Sequence, residues 1–191
     1  MRRRTSACGV LISILLLNAL ARAQTSQPRS QIGASYSALG LEYPDQTRSG
    51  VGVWFASDFS DFVGVDIELS LFPADEPVAG RMLQMLAGAR MSVRRERFAV
   101  VGRMRPGLVH FTERFLAPGI VCVALAPPPE GCLAKQTNLA LDLGGAVELF
   151  PTPRTVLRVG FGGVLVRFVR DGSDPVWTRN WQLAAGAGYR F

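Results

Sequence analysis

Eight charged residues interrupt otherwise apolar or small stretches: Asp66 and Glu68, Arg90, Arg103 and Arg105, Asp142 and Glu148, and Arg158. Paired carboxylates can serve as general acid and base when their surroundings drive their pKa values apart. Here four acids are matched by four arginines, and a guanidinium beside a carboxylate holds it ionised. The chemistry this set supports is ion pairing, since buried charges are tolerated when paired and hydrogen-bonded. Hairpin registers taken from turn centres suggest the partners. Asp66 falls beside Gly88, Gly88 opposite Arg103, Arg105 opposite Glu148, and Arg158 diagonal to Glu148. On that register the small Gly88 lets Asp66 reach Arg103 across the intervening strand. Two roles are open to such a network: a plug that stiffens an enclosed interior, or a gate whose pairs exchange to pass small ions.

Other reactive side chains are few. His110 is the single histidine and opens His110-Phe-Thr-Glu113. A base needs a nucleophile and an orienting group within reach, and no fixed third partner is evident. Cys122 and Cys132 flank Ala126-Pro-Pro-Pro-Glu130 symmetrically. With neither a C-x-x-C spacing nor a nearby histidine, metal binding is disfavoured, and in an exported chain a disulfide is the default. Such a bridge would protect the loop from proteases or hold a rigid tip towards a partner. Gly160 to Gly163 lies inside a strand pattern and is not a phosphate loop. No cofactor and no metal are expected.

The elements that position these residues begin after a leader. Met1-Arg-Arg-Arg4 precedes an apolar run over Val10 to Leu20 and then Ala21-Arg-Ala23, the layout of a signal peptide over residues 1–23. Residues 24–31 are polar and read as a flexible lead-in. The whole chain holds 21 basic and 15 acidic residues. Residues 1–23 carry four arginines and no acid, which leaves 17 against 15 and a net charge of +2. The basic balance is thus largely a targeting feature, and nucleic acid is not an expected partner.

Residues 32–191 alternate in side-chain type at a period of two, the signature of strands. Eight strands are predicted: Gln31–Glu42, Gly50–Ser57, Phe62–Phe72, Met82–Arg94, Phe98–Phe111, Asn138–Phe150, Thr155–Phe168 and Asn180–Phe191. Phe62–Phe72 shows the pattern cleanly, with Val63, Val65, Ile67, Leu69 and Leu71 on one side and Gly64, Asp66, Glu68 and Ser70 on the other. Pro106, on an apolar face, should cost a ladder bond or mark a bulge. The seven connections alternate long and short, as in a barrel with tight turns at one end and loops at the other. Strands of about ten residues cross a bilayer when tilted. The expected fold is all-β: an eight-stranded antiparallel up-and-down transmembrane barrel, apolar faces outward and charges inward. A soluble barrel with the faces inverted is the alternative.

Three features carry a family resemblance: the leader, the run from Gly50-Val-Gly-Val-Trp-Phe-Ala-Ser-Asp58 through a tight turn into Val63-Gly-Val-Asp-Ile-Glu-Leu-Ser-Leu-Phe-Pro73, and the ending Tyr189-Arg-Phe191. The pattern over residues 32–191 resembles the small outer-membrane barrel superfamily of Gram-negative bacteria, the OmpA transmembrane domain and OmpX type. The resemblance implies a bacterial outer-membrane location, contact with outer-membrane lipid and lipopolysaccharide, and assembly by the outer-membrane machinery. It implies an assembly signal in the last strand, at Trp181, Leu183, Tyr189 and Phe191. It also implies an outer loop, residues 112–137, that could meet a surface ligand. The chain stops at Phe191, so no peptidoglycan-binding domain of the OmpA kind is expected. Barrel enzymes that modify lipid A use a histidine with a serine partner. His110-Phe111-Thr112 offers threonine instead, and the chain is read as non-enzymatic. A narrow ion-conducting barrel and then a lipid A-modifying enzyme are the alternatives.

Overall fold

The computed structural model describes residues 29–42, 46–74, 80–112, 136–169 and 175–191. Residues 1–23 and both Cys122 and Cys132 lie outside this set. Eight strands form one closed antiparallel barrel in chain order: β1 (Ser30–Leu41), β2 (Gln46–Asp58), β3 (Val63–Phe72), β4 (Met82–Arg94), β5 (Phe98–Phe111), β6 (Gln136–Thr152), β7 (Thr155–Phe168) and β8 (Val176–Arg190). β1 and β8 close the seam, from Gln31 opposite Arg190 to Gly40 opposite Trp181. Ser30 and Phe191 finish the seam by exchanging backbone bonds in both directions, at 3.2 and 2.9 Å. No sheet edge is left, which a structure surrounded by hydrocarbon requires.

Tight turns hold one end. The β2–β3 turn is fixed by Ser60 Oγ, which accepts the Val63 N–H at 3.0 Å, and the β6–β7 turn by Thr152 Oγ1, which accepts the Thr155 N–H at 3.0 Å. β4, β5 and β7 have the bounds that the sequence predicts. Three others run further. β2 begins at Gln46 rather than Gly50; β6 continues through Pro151 to Thr152; β8 begins at Val176 rather than Asn180. Near Pro106 the β4–β5 ladder lacks the Ala87–Pro106 and Gly88–Arg105 pairs, yet the register is the same on both sides. The proline therefore costs ladder bonds, as its missing N–H dictates, without inserting a bulge.

The pleat sorts the side chains. Outward positions such as Val53, Ile67, Met85, Val100, Leu143, Val159 and Leu183 are exposed around the whole circumference. Phe161 is 62% exposed while Arg105 is 0% exposed. Soluble monomers seldom expose apolar patches beyond about 600 Å², so a continuous apolar belt needs hydrocarbon around it. Trp177 and Trp181 lie outward near the loop end, and Phe98, Tyr189 and Phe191 near the turn end. Aromatic girdles at both interfaces are the expected anchors of such a belt.

Candidate functional site in the barrel lumen

The lumen is filled in three layers. Towards the loop end, Leu39, Leu41, Phe72, Met82, Leu86, Val109, Phe111, Val166 and Phe168 belong to one buried apolar cluster. Phe111 and Phe168 stack within it at 5.8 Å between ring centroids. Towards the turn end, Trp54, Ala56, Ala99, Phe150 and Val156 form a smaller cluster. The eight charges singled out in the sequence lie between these two layers, carried by β3, β4, β5, β6 and β7; Arg48 of β2 is buried at the loop end, where its Nη2 donates to the Pro73 and Gly80 carbonyls at 2.8 and 2.6 Å.

Arg105 is the hub. Its Nη1 donates to Asp66 Oδ1 at 2.7 Å and to Glu68 Oε2 at 2.6 Å, and its Nε donates to Asp142 Oδ2 at 2.8 Å. Arg103 Nε shares that Asp142 oxygen at 3.1 Å. Arg158 Nη2 donates to Asp66 Oδ2 at 2.5 Å, and Arg90 Nη2 to Glu148 Oε2 at 3.0 Å. All eight charged residues singled out in the sequence are buried. Low local dielectric makes each such bond strong and each unpaired charge costly.

The pairing differs from the turn-centre registers. Asp66 does stand opposite Gly88. Arg90, not Gly88, faces Arg103, and Arg105 faces Asp142 rather than Glu148. Arg158 is directly opposite Glu148 instead of diagonal to it. Asp66 therefore reaches across β4 to Arg105, not to Arg103. The cause is the turn geometry: the β4–β5 register centres one residue beyond the middle of Arg95-Glu96, and the prolines at 127–129 do not mark the midpoint of β5–β6.

Several partners escape a search for mid-strand charges. Asp58, one residue past the predicted end of its strand, points inward and binds Arg90 at 3.1 Å and Arg94 at 2.8 Å. Gln31 Nε2 donates to Glu148 Oε1 at 2.8 Å, and Gln182 Nε2 to Glu68 Oε1 at 3.1 Å. These amides link β1 and β8 to the network. Parity would have found all three, because Asp58 continues the inward row of Trp54 and Ala56. Outside the lumen, His110 Nδ1 hydrogen-bonds Thr137 Oγ1 at 2.8 Å, while Thr112 Oγ1 donates to the Arg81 carbonyl at 3.3 Å. The His110–Thr112 pairing is not formed.

Comparison with solved structures decides the class. Neisserial surface protein A is similar over 85% of this chain and 96% of its own, with a TM-score of 0.57 and 13% identity. The chain has the fold of the small eight-stranded outer-membrane barrels. OprG from Pseudomonas aeruginosa matches over 86% of this chain and 96% of its own, with a TM-score of 0.52 and 14% identity. Ail of Yersinia pestis, solved in complex with the heparin analogue sucrose octasulfate, matches over 86% and 99%, with a TM-score of 0.51 and 15% identity. No protein-family profile and no curated protein sequence matches the chain. The likeness is thus one of backbone. It gives the barrel its fold class, while the lumen chemistry stands on this chain's own residues.

Proposed function

We propose that the protein is a non-conducting, non-enzymatic barrel of the bacterial outer membrane whose role, in envelope structure or surface interaction, is carried at its loop end. The observation that carries this reading is the filled lumen beneath a continuous apolar belt. The charged layer satisfies carboxylates with arginines, and the layer above it is packed mostly by apolar side chains, with Gln84, Thr178 and Asn180 among them. The known outer-membrane barrels of like fold support the location. Exposed Arg81 and Arg179 at the loop end suit the phosphates of outer-leaflet lipid and lipopolysaccharide. Residues 112–137 are where a surface ligand would meet the protein. Trp181, Leu183, Tyr189 and Phe191 would form the signal read by the assembly machinery.

The test is electrophoresis of purified outer membranes, boiled against unboiled, together with planar-bilayer recording. A heat-modifiable band in that fraction, silent in the bilayer and lost when Phe191 is deleted, is expected. A band in the soluble periplasmic fraction would overturn the location. Steady unitary conductance would overturn the filled-lumen role in favour of a narrow ion channel. Loss of lipid A acyl chains on expression, dependent on His110, would make it an enzyme.

A further inference from the structure

We infer that the outer wall of β7 and β8 holds a site for one phosphorylated lipid of the outer leaflet, lipid A by class, with a phosphate on Arg167 and Arg179. The inference rests on the outer-membrane reading above and names where on the wall such a lipid sits. Arg167 is the last outward residue of β7 before the loop, and it stands opposite Trp177 of β8. Arg179 follows Trp177 on the same outward row, opposite Leu165, so the two arginines are diagonal neighbours. Such neighbours on one face of an antiparallel pair are about 7–8 Å apart. The intervening Val166, Phe168, Thr178 and Asn180 are buried, which places both arginines on the wall and not in the lumen.

Neither guanidinium forms an ion pair or hydrogen bond among the described residues. Glu42 touches this segment, but its Oε2 accepts the Arg179 backbone N–H at 2.5 Å and forms no ion pair with the side chain. Two like charges this close repel. A phosphate between them replaces that repulsion with charge-assisted hydrogen bonds to both. The level on the barrel says which phosphate. Both arginines stand at the loop-end edge of the apolar belt, beside the exposed Trp177 and Trp181. Tryptophan marks the headgroup level of a bilayer.

The wall below the arginines is shaped for an acyl chain. Gly163 is exposed on β7, with Leu143 of β6 on one side and Trp181 of β8 on the other. The indole does not cover it. A methyl at Gly40 of β1 would collide with Trp181 Nε1, so the ring leans away over Gly40. A methyl at Gly163 would meet only backbone oxygens, at 3.9 and 4.0 Å. The wall is therefore indented between Leu143 and Trp181, one row below the Arg179–Leu165 pair. A free phosphate would gain the arginines but not this groove. The longer loops of such barrels face outward, and lipid A, an acylated and phosphorylated disaccharide, belongs to that outer leaflet.

The full chain, folded in detergent, is titrated with lipid A, with lipid A stripped of its phosphates, and with phosphatidylglycerol, and bound lipid is counted by native mass spectrometry. One lipid A should be retained, more tightly than either of the others. Arg167→Gln combined with Arg179→Gln should weaken it about thirtyfold, the loss expected for two arginines at an anionic lipid surface. Gly163→Leu fills the groove, has room for its side chain, and should weaken binding with both arginines in place. Arg154→Gln removes an exposed charge at the turn end and should bind as wild type does. Stripped lipid A or phosphatidylglycerol held as tightly as lipid A, or wild-type binding in the double variant or in Gly163→Leu, would overturn the site. A heat-modifiable band in outer membranes would persist in each of those cases, whereas its absence from that fraction would overturn the outer-membrane reading itself.

Discussion

Arg105 Nη1 lies 2.7 Å from Asp66 Oδ1, although β4 runs between their strands. The same nitrogen holds Glu68, and Arg105 Nε holds Asp142, so one guanidinium neutralises three buried carboxylates. Removing it would leave those charges short of a partner inside a medium of low polarity. Arg105→Ala should therefore destabilise the barrel by about 3–5 kcal/mol, the cost of breaking a buried pair from one side. Urea unfolding from vesicles would measure it. Arg105→Lys should recover part of the loss, because an ammonium keeps the charge but lacks the planar fork. A variant as stable as wild type would mean that water, not Arg105, solvates the three acids.

Gly88 is what lets that contact form. It stands opposite Asp66 on β4, where the ladder to β5 is interrupted beside Pro106. A methyl at this position would come within 2.7 Å of the Arg105 Cα, so backbone would have to move. Gly88→Ala is expected to cost about 1–3 kcal/mol by overpacking. Gly102→Ala is the matched control, since nothing lies within 4 Å of the side chain it would gain. Equal unfolding midpoints for the two variants would contradict the close approach.

The outward belt makes a separate prediction. Leu143 is exposed near the middle of β6, next to the buried Asp142. Leu143→Arg should cost about 2–4 kcal/mol if hydrocarbon faces it. Leu143→Ala should cost far less, because no protein cavity is opened. Unfolding from vesicles separates the two. An arginine that is neutral there would place water, not lipid, around the barrel and revive the inverted, soluble arrangement.

Much of this architecture was legible in the sequence, and the failures have a common physical source. The two-residue alternation fixes which face of each strand points inward, and a closed barrel then leaves one interior for Asp66, Arg105 and their neighbours. The bounds of β4, β5 and β7 are readable because charged or turn-forming residues flank them. Gln46–Arg48 and Val176–Arg179 read as loop because the two-residue alternation of apolar and small side chains is not sustained there. The hydrogen-bond ladder does not fade with it: a strand that has left the hydrocarbon can keep pairing while its side chains turn polar. Partners were less legible than faces. Parity is indifferent to a slip of two or six residues, so Arg105 moved from Glu148 to Asp142 without changing sides. Only the loop geometry sets that slip, and Ala126-Pro-Pro-Pro-Glu130 marks a turn without marking its centre.

The layering of the lumen predicts how conduction could be gained. An ion entering from the turn end passes the small cluster around Trp54 and Phe150 and then meets arginines and carboxylates that could exchange partners. It then meets Phe72, Phe111 and Phe168, which are buried in the apolar layer. Weakening the charged layer alone leaves that packed constriction in place, so Arg105→Ala should remain silent in a planar bilayer. Phe111→Ala should cost about 3–5 kcal/mol, the usual loss for a buried aromatic, and should also stay silent, because the ion pairs remain. The double variant opens the charged layer and the larger apolar layer and is the one expected to conduct. Conductance in Arg105→Ala by itself would show that the ion pairs alone close the barrel, and that the apolar layer offers no barrier to ions.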